Sequence, residues 1–268
     1  RFGPELDVDA DGVVFFRFGG YSMKPMDYRN TVFMDHAMRL DAMAQHGIDL
    51  QLLSPNPLTL FHHIPSPEAI AFCQTQNDAM AALVGRFPDQ FLGAAAVPMQ
   101  DIDAAIREAE RAIKELGLCA IYIGTHLPYD LDDPRLDEFY AAVTALDVPL
   151  FFHPASSGGV SGPDDARLAR FDMTLILGYA YEETVAAAQL VLGGVIDRHP
   201  QLDICLSHGA GATTFLIPKF EGWAKVRDWA PNSVQELGFT QVLKKLWFDV
   251  HVSGSLQQQL LIDSVGAD

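Results

Sequence analysis

The chain of 268 residues lacks long apolar runs and has little positive charge. No apolar run reaches about 18 residues, so no transmembrane helix and no membrane partner is expected. The first four residues lack the apolar stretch of a signal peptide. Only 18 Lys and Arg stand against 35 Asp and Glu, and the formal net charge is −17. A nucleic-acid partner is therefore not expected, because phosphate binding needs a basic face.

Cysteine is also scarce. Cys73, Cys119 and Cys205 are scattered through apolar stretches, and their number is odd. This usage argues against a disulfide framework and predicts buried thiols in the reducing cytoplasm.

Hydrophobic residues make up 49% of the chain, enough to bury a sizeable core in one large domain spanning residues 1–268. Six short runs are apolar throughout, which is typical of parallel strands buried on both faces. These runs are Asp49–Pro55, Phe91–Pro98, Cys119–Gly124, Pro149–His153, Leu202–Ser207 and Trp247–Val252.

Helix-like stretches alternate with these strands. They are Met34–His46, Ser66–Phe87, Asp101–Gly117, Asp133–Leu146, Thr174–Asp197, Thr213–Arg227 and Ser255–Val265. The alternation predicts a parallel α/β fold, and on the pattern alone a doubly wound sheet is an alternative to a barrel. A barrel is favoured because polar residues recur at the carboxyl ends of the strands. In residues 1–33, Asp11-Gly12 predicts a hairpin over Leu6–Phe18, which we interpret as an insertion.

Two histidines lie at the ends of successive predicted strands. His153 ends one strand and precedes Pro154, and His208 follows the next and precedes Gly209. Neighbouring barrel strands would place both imidazoles at the same rim, where they could bind a metal ion or transfer protons. The alternative is that each is an ordinary polar residue at a strand end.

Seven further residues are candidates for the site. His126 follows another strand and could line a substrate pocket, and His251 lies within the last strand run. Asp249, in the same run, could orient a ligand histidine or could bond to nearby backbone. Lys24 and Arg29 precede the first helix and could bind a substrate carboxylate, or be solvated surface charges. His62 and His63 lie on a loop of the kind that lines barrel mouths.

Five segments together resemble the aminocarboxymuconate semialdehyde decarboxylase family, in the decarboxylase branch of the amidohydrolase superfamily. The segments are Arg39–Pro57, Ala94–Ala112, Ile121–Ala142, Pro149–Ala155 and Ile204–Arg227. The resemblance covers roughly Arg39 to Asp268. It implies a TIM-type (β/α)₈ barrel with one divalent metal ion, usually Zn²⁺. The ligands it implies are a His-x-His pair on the first strand, a His-Pro histidine on the fifth and an Asp on the eighth.

The resemblance assigns roles to three residues. His153 matches the His-Pro metal ligand, and His208 matches the catalytic acid/base that precedes a glycine run. Lys24 is the nearest counterpart of the cationic residue that holds a substrate carboxylate. Relatives are often dimers, so a homodimer is also expected.

The sequence departs from the family pattern at several points. His-x-His occurs nowhere in it, and Asp268 falls too early to be the last ligand. We therefore expect a partial sequence whose barrel lacks its first and last strands. Ala155 replaces a tryptophan of the decarboxylase and Ala210 replaces a glycine, which leaves the exact substrate open.

The function implied is non-oxidative decarboxylation of a small unsaturated or aromatic carboxylic acid in catabolism. One alternative is a metal-dependent hydrolase that cleaves a C–C bond or a lactone. The other is an inactive fragment or binding protein.

Overall fold

The computed structural model describes residues 5–18, 21–22, 31–155 and 166–267. Its strands form two sheets. The smaller sheet is antiparallel and contains β1 (Glu5–Val8), β2 (Val14–Phe18) and β3 (Tyr21–Ser22). Val8 pairs with Val14 across a turn in which Gly12 has a φ of 81°. The predicted hairpin is therefore confirmed.

The larger sheet is parallel and has six strands in the order of the chain. They are β4 (Gln51–Leu53), β5 (Phe91–Ala96), β6 (Ala120–Gly124), β7 (Leu150–His153), β8 (Ile204–Leu206) and β9 (Trp247–Phe248). A doubly wound sheet would reverse its strand order at one point, whereas a barrel keeps chain order throughout. The chain therefore forms an incomplete (β/α)₈ barrel, as predicted.

Ten helices are assigned in the described residues. They are α1 (His36–His46), α2 (Ser66–Arg86), α3 (Ile102–Lys114), α4 (Asp137–Leu146), α5 (Tyr179–Leu192), α6 (Val195–Arg198), α7 (Thr213–Ala224), α8 (Asn232–Leu237), α9 (Phe239–Leu243) and α10 (Ser255–Val265). None of them is long and apolar enough to cross a membrane. The three cysteines are unpaired.

Small residues in β5 allow helices to pack closely on the sheet. Ala94, Ala95 and Ala96 are at most 1% exposed. At Gly93 a Cβ atom would come within 2.8 Å of side-chain atoms of Leu118 and Met80. The core lies where the strands meet their helices, and its packing fixes the position of each strand's carboxyl end.

Two predicted elements differ from the structure. The last strand run ends at Phe248 and not at Val252, so Asp249 and His251 lie beyond the strand. The stretch predicted as one helix over Thr174–Asp197 contains a π-helical turn, then α5, then α6. The separation of α5 from α6 follows from Gly194, whose φ of 73° is left-handed and incompatible with a continuous right-handed helix.

Candidate active site

The carboxyl ends of β7 and β8 bring two imidazole rings together. The strands are paired in parallel, with Phe152 opposite Leu206. The ring centroids of His153 and His208 are 4.7 Å apart and the rings lie edge to face. The two histidines predicted to converge at one rim therefore do so.

His208 occupies an unusual backbone turn. Four consecutive residues have left-handed φ values: 49° at His208, 57° at Gly209, 58° at Ala210 and 63° at Gly211. Glycine adopts this conformation readily, but each non-glycine residue in it costs about 1–3 kcal/mol. Strain of this kind persists only where the surroundings hold the backbone in place.

Other rings surround the pair. Tyr179, the first residue of α5, stacks on His208 with centroids 5.6 Å apart and meets His153 edge-on at 5.7 Å. Tyr122 of β6 lies 6.1 Å from His153. His251 is exposed, and its ring centroid is 5.5 Å from that of His208. The sequence reasoning missed both tyrosines, although Tyr122 is the one residue with a polar side chain in an apolar strand.

Both imidazoles of the pair are held neutral. Burial lowers the pKa of His153 to about 4, and the hydrogen bond to the Pro154 carbonyl and the charge of Asp249 only partly oppose this. Burial also lowers the pKa of His208. The Nδ1 atom of His153 lies 2.8 Å from the carbonyl oxygen of Pro154. Because a carbonyl can only accept, Nδ1 carries the proton and Nε2 keeps its lone pair.

Asp249 bonds to the backbone. Its Oδ1 atom accepts from the N–H groups of Gly209, at 3.2 Å, and of His251, at 3.0 Å. Of the two roles left open by the sequence, these contacts favour the backbone one. The carboxylate thereby supports the turn that carries His208, and its negative charge partly opposes the lowering of both imidazole pKa values by burial.

Glu183 of α5 is a further residue that the sequence reasoning missed. It is fully buried, and the hydroxyl of Ser207 donates a hydrogen bond of 2.5 Å to its Oε1 atom. Burial raises the pKa of this carboxyl well above its ordinary value, and the hydrogen bond from Ser207 only partly opposes this. The sequence does contain a signal for such a buried carboxyl group, since Glu182 and Glu183 are adjacent acidic residues in an apolar helical stretch.

His126 lies in a second histidine cluster. It is half exposed, and its Nδ1 atom is 4.0 Å from Oε2 of Glu182. Together with His62, His63 and Gln100 it lines a cavity of about 390 Å³. No ring contact recorded among the described residues joins it to the His153–His208 pair, and its substrate-binding role stays a prediction. Lys24 and Arg29 lie outside the described residues.

The donor set suits part of a metal coordination sphere. His153 presents a neutral Nε2 lone pair, and the Nδ1 atom of His208 is buried with no hydrogen-bond partner in the described part of the chain. Neutral imidazole is a good ligand for Zn²⁺ and similar ions. Within the described ranges, however, no three His, Cys, Asp or Glu side chains form a group able to hold a metal ion.

The chain is similar in sequence to proteins of known activity. A family model described as Amidohydrolase matches residues 30–249. The γ-resorcylate decarboxylase of Rhizobium radiobacter is 31% identical, over 99% of this chain and 82% of its own length. The 2-amino-3-carboxymuconate-6-semialdehyde decarboxylase of Dictyostelium discoideum is 28% identical over 87% of this chain, which spans 64% of that relative. The predicted family resemblance is confirmed.

A similar solved structure contains a metal ion. It is the dihydroxybenzoic acid decarboxylase of Polaromonas sp. JS666, with bound manganese and the inhibitor 2-nitroresorcinol. It is 26% identical with a TM-score of 0.71, and the match covers 85% of this chain and 71% of that one.

Proposed function

The chain belongs to the amidohydrolase family, and on that premise we propose that it serves metal-dependent, non-oxidative decarboxylation of a small aromatic or unsaturated carboxylic acid. The observation that carries the proposal is the contact between two neutral imidazoles, His153 and His208, at the carboxyl ends of adjacent barrel strands. This is the end at which barrel enzymes place their catalytic groups. The decarboxylases among its relatives support the choice of reaction.

His153 would hold a divalent metal ion through Nε2, because Nδ1 is committed to Pro154. A bound metal supplies positive charge that orients a carboxylate and stabilises developing negative charge. We propose Zn²⁺, which imidazole ligands suit, although the structurally similar Polaromonas enzyme contains manganese. Metal analysis of the purified protein distinguishes the two ions.

His208 would act as the acid/base. A neutral imidazole has one N–H to give and one lone pair to receive a proton. The neutral ring would first take a proton from solvent on its free nitrogen and would then give a proton to the substrate carbon. The electron pair of the breaking bond to the carboxylate carbon forms the new C–H bond, CO₂ leaves, and the ring returns to its neutral form. Stacking on Tyr179 restrains the ring while this transfer takes place.

Three finer assignments belong to the same proposal. The unpaired cysteines fit the cytoplasm as the compartment. Lys24 and Arg29 stay candidates for binding the substrate carboxylate, and a homodimer is proposed from the family resemblance. Sedimentation equilibrium would test the oligomeric state.

The test uses carboxyl-¹³C-labelled acids, including γ-resorcylate, in ¹⁸O-labelled water. We expect labelled CO₂ with no ¹⁸O in the remaining product. Incorporation of ¹⁸O without CO₂ would assign a hydrolase, and turnover of no acid in a panel would contradict an enzymatic role for this chain.

Two variants separate the roles of the histidines. His208→Asn should keep the metal and lose about 100-fold or more in kcat, the usual contribution of a general acid. We expect nearly one metal ion per chain in wild type and its loss in His153→Ala, both measured by plasma mass spectrometry. His46→Asn, at the exposed end of α1, is the matched control and should change neither. Full activity of His208→Asn, or unchanged metal in His153→Ala, would remove that residue from the site.

A further inference from the structure

One face of α5 contacts the backbone turn that carries His208. Tyr179 and Glu183 lie about one helical turn apart and share that face, and Thr184 follows Glu183 directly at its edge. Tyr179 stacks on the His208 ring, and the hydroxyl oxygen of Thr184 accepts a hydrogen bond of 2.9 Å from the N–H of Ala212. The helix therefore contacts both ends of the turn.

The turn has little room to move away from this helix. A Cβ atom at Gly211 would overlap the backbone carbonyl of Ala180. The left-handed conformations of His208 and Ala210 are unfavourable, and contacts from outside the turn must maintain them.

Ser207 connects the parts of the site. Its N–H donates to the carbonyl oxygen of Phe152, the residue before His153, at 3.3 Å. Its hydroxyl donates a hydrogen bond to Glu183 of α5, and Ser207 directly precedes His208 in the chain. Because Ser207 and Glu183 are both buried, water does not compete for the side-chain bond. One residue thus joins β7, α5 and the His208 turn.

We propose that Glu183 and Ser207 are positioning residues, which hold the strained His208 turn against α5 and so fix the His208 imidazole beside His153. The proposal deepens the proposed function and rests on it for its kinetic consequences. Both side chains are buried and bonded to each other, and the proposal gives neither a contact with the substrate. Their role is to hold the two imidazoles at a fixed distance. This distance matters because a displacement of about 1 Å in a catalytic group can cost 100-fold in rate.

The kinetic test compares four variants of the full chain with its metal bound. Glu183→Leu and Ser207→Ala remove the hydrogen bond, and both should lower kcat about 10- to 100-fold with a smaller change in KM. Glu183→Gln keeps an oxygen that accepts from Ser207 and should restore most of kcat. Glu108→Leu is the control, because Glu108 is also buried but bonds to Asn77 of α2, and its kcat should stay at the wild-type value.

A second measurement needs no turnover and therefore separates this proposal from the proposed function. In wild type we expect a nuclear Overhauser effect between the ring protons of His153 and His208, and slow amide exchange at residues 209–212. Both should weaken in Ser207→Ala and persist in Glu183→Gln. If Ser207→Ala keeps wild-type kcat, ring contact and amide protection, the positioning role is wrong. If Ser207→Ala weakens the ring contact and the amide protection but the wild-type chain turns over no acid, the positioning role is supported and only the proposed reaction is contradicted.

Discussion

His62 shows what burial does to a single side chain. Its ring is 7% exposed, and its Nε2 atom accepts a hydrogen bond of 2.9 Å from the N–H of Gly124. Burial, with smaller contributions from His63 and His126, lowers its pKa from 6.5 to about 3. The folded chain thus keeps His62 neutral at pH values where the unfolded chain protonates it.

The stability of the fold should therefore depend on His62 between about pH 3 and 6.5. In this window the unfolded chain binds the extra proton, so the free energy of unfolding rises with pH, by at most about 1.4 kcal/mol per unit from one group. Urea unfolding from pH 7 to pH 5 measures the slope. His62→Gln, which cannot titrate, should flatten it, and the exposed control His46→Gln should not. An equal slope in wild type and His62→Gln would contradict the expectation.

At the residue scale the sequence predicted the two central histidines but not their surroundings. His153 and His208 could be found because each follows an apolar strand and precedes a turn residue, both of which are local signals. Tyr179 and Glu183 could not, because their contacts depend on where α5 returns to the sheet after a long connection. Asp249 left two roles open because the sequence does not show which N–H groups its carboxylate meets.

The first helix illustrates how one residue defines the end of an element. Asp35 has an extended backbone, and its Oδ1 atom accepts from the N–H groups of Ala37 and Met38. At the other end Gly47 has a left-handed φ of 67°, which allows its N–H to bond back to the last turn.

Removing this cap should destabilise the chain without touching the site. Asp35→Ala should lower the free energy of unfolding by about 1 kcal/mol, because two helix N–H groups lose their acceptor. The measurement is the urea midpoint at pH 7. Asp41→Ala, an exposed substitution inside the same helix, is the control and should be close to neutral. Equal midpoints for Asp35→Ala and wild type would show that the cap adds nothing.

At the element scale the sequence predicted the apolar strands and the long helices well and the short helices poorly. All six large-sheet strands and α3, with its periodic apolar face, are present near their predicted positions. The helices α8 and α9 were missed because each has only five or six residues, too few for a repeating pattern. The last strand was predicted to extend to Val252 because Val250 and Val252 are apolar. In the structure Val250 is 60% exposed and lies beyond the strand, which ends at Phe248.

The large sheet has an unpaired strand edge at each end among the described residues. Among the described strands of the large sheet, β4 pairs only with β5 and β9 pairs only with β8. Apolar side chains are partly exposed at both: Leu52 by 37% and Trp247 by 55%. Unpaired edges with apolar side chains favour association with other strands. The assignment of residues 1–268 to one domain stays a prediction.

The chain of 268 residues should therefore self-associate through these edges. Leu52→Lys, which puts a charge on the β4 edge, should shift sedimentation velocity profiles toward smaller species. Leu256→Lys is the control, because Leu256 is 79% exposed on α10 and belongs to neither edge strand. Identical profiles for wild type and Leu52→Lys would locate the association elsewhere.

The strand order of the large sheet also bears on how the protein is made. Because each strand pairs with the one translated just before it, the sheet can be extended step by step as the chain leaves the ribosome. At each stage the strand made last has one edge that is not yet paired. His153 on β7 is therefore made before His208, which follows β8, and the two imidazoles can meet only after β8 has been made.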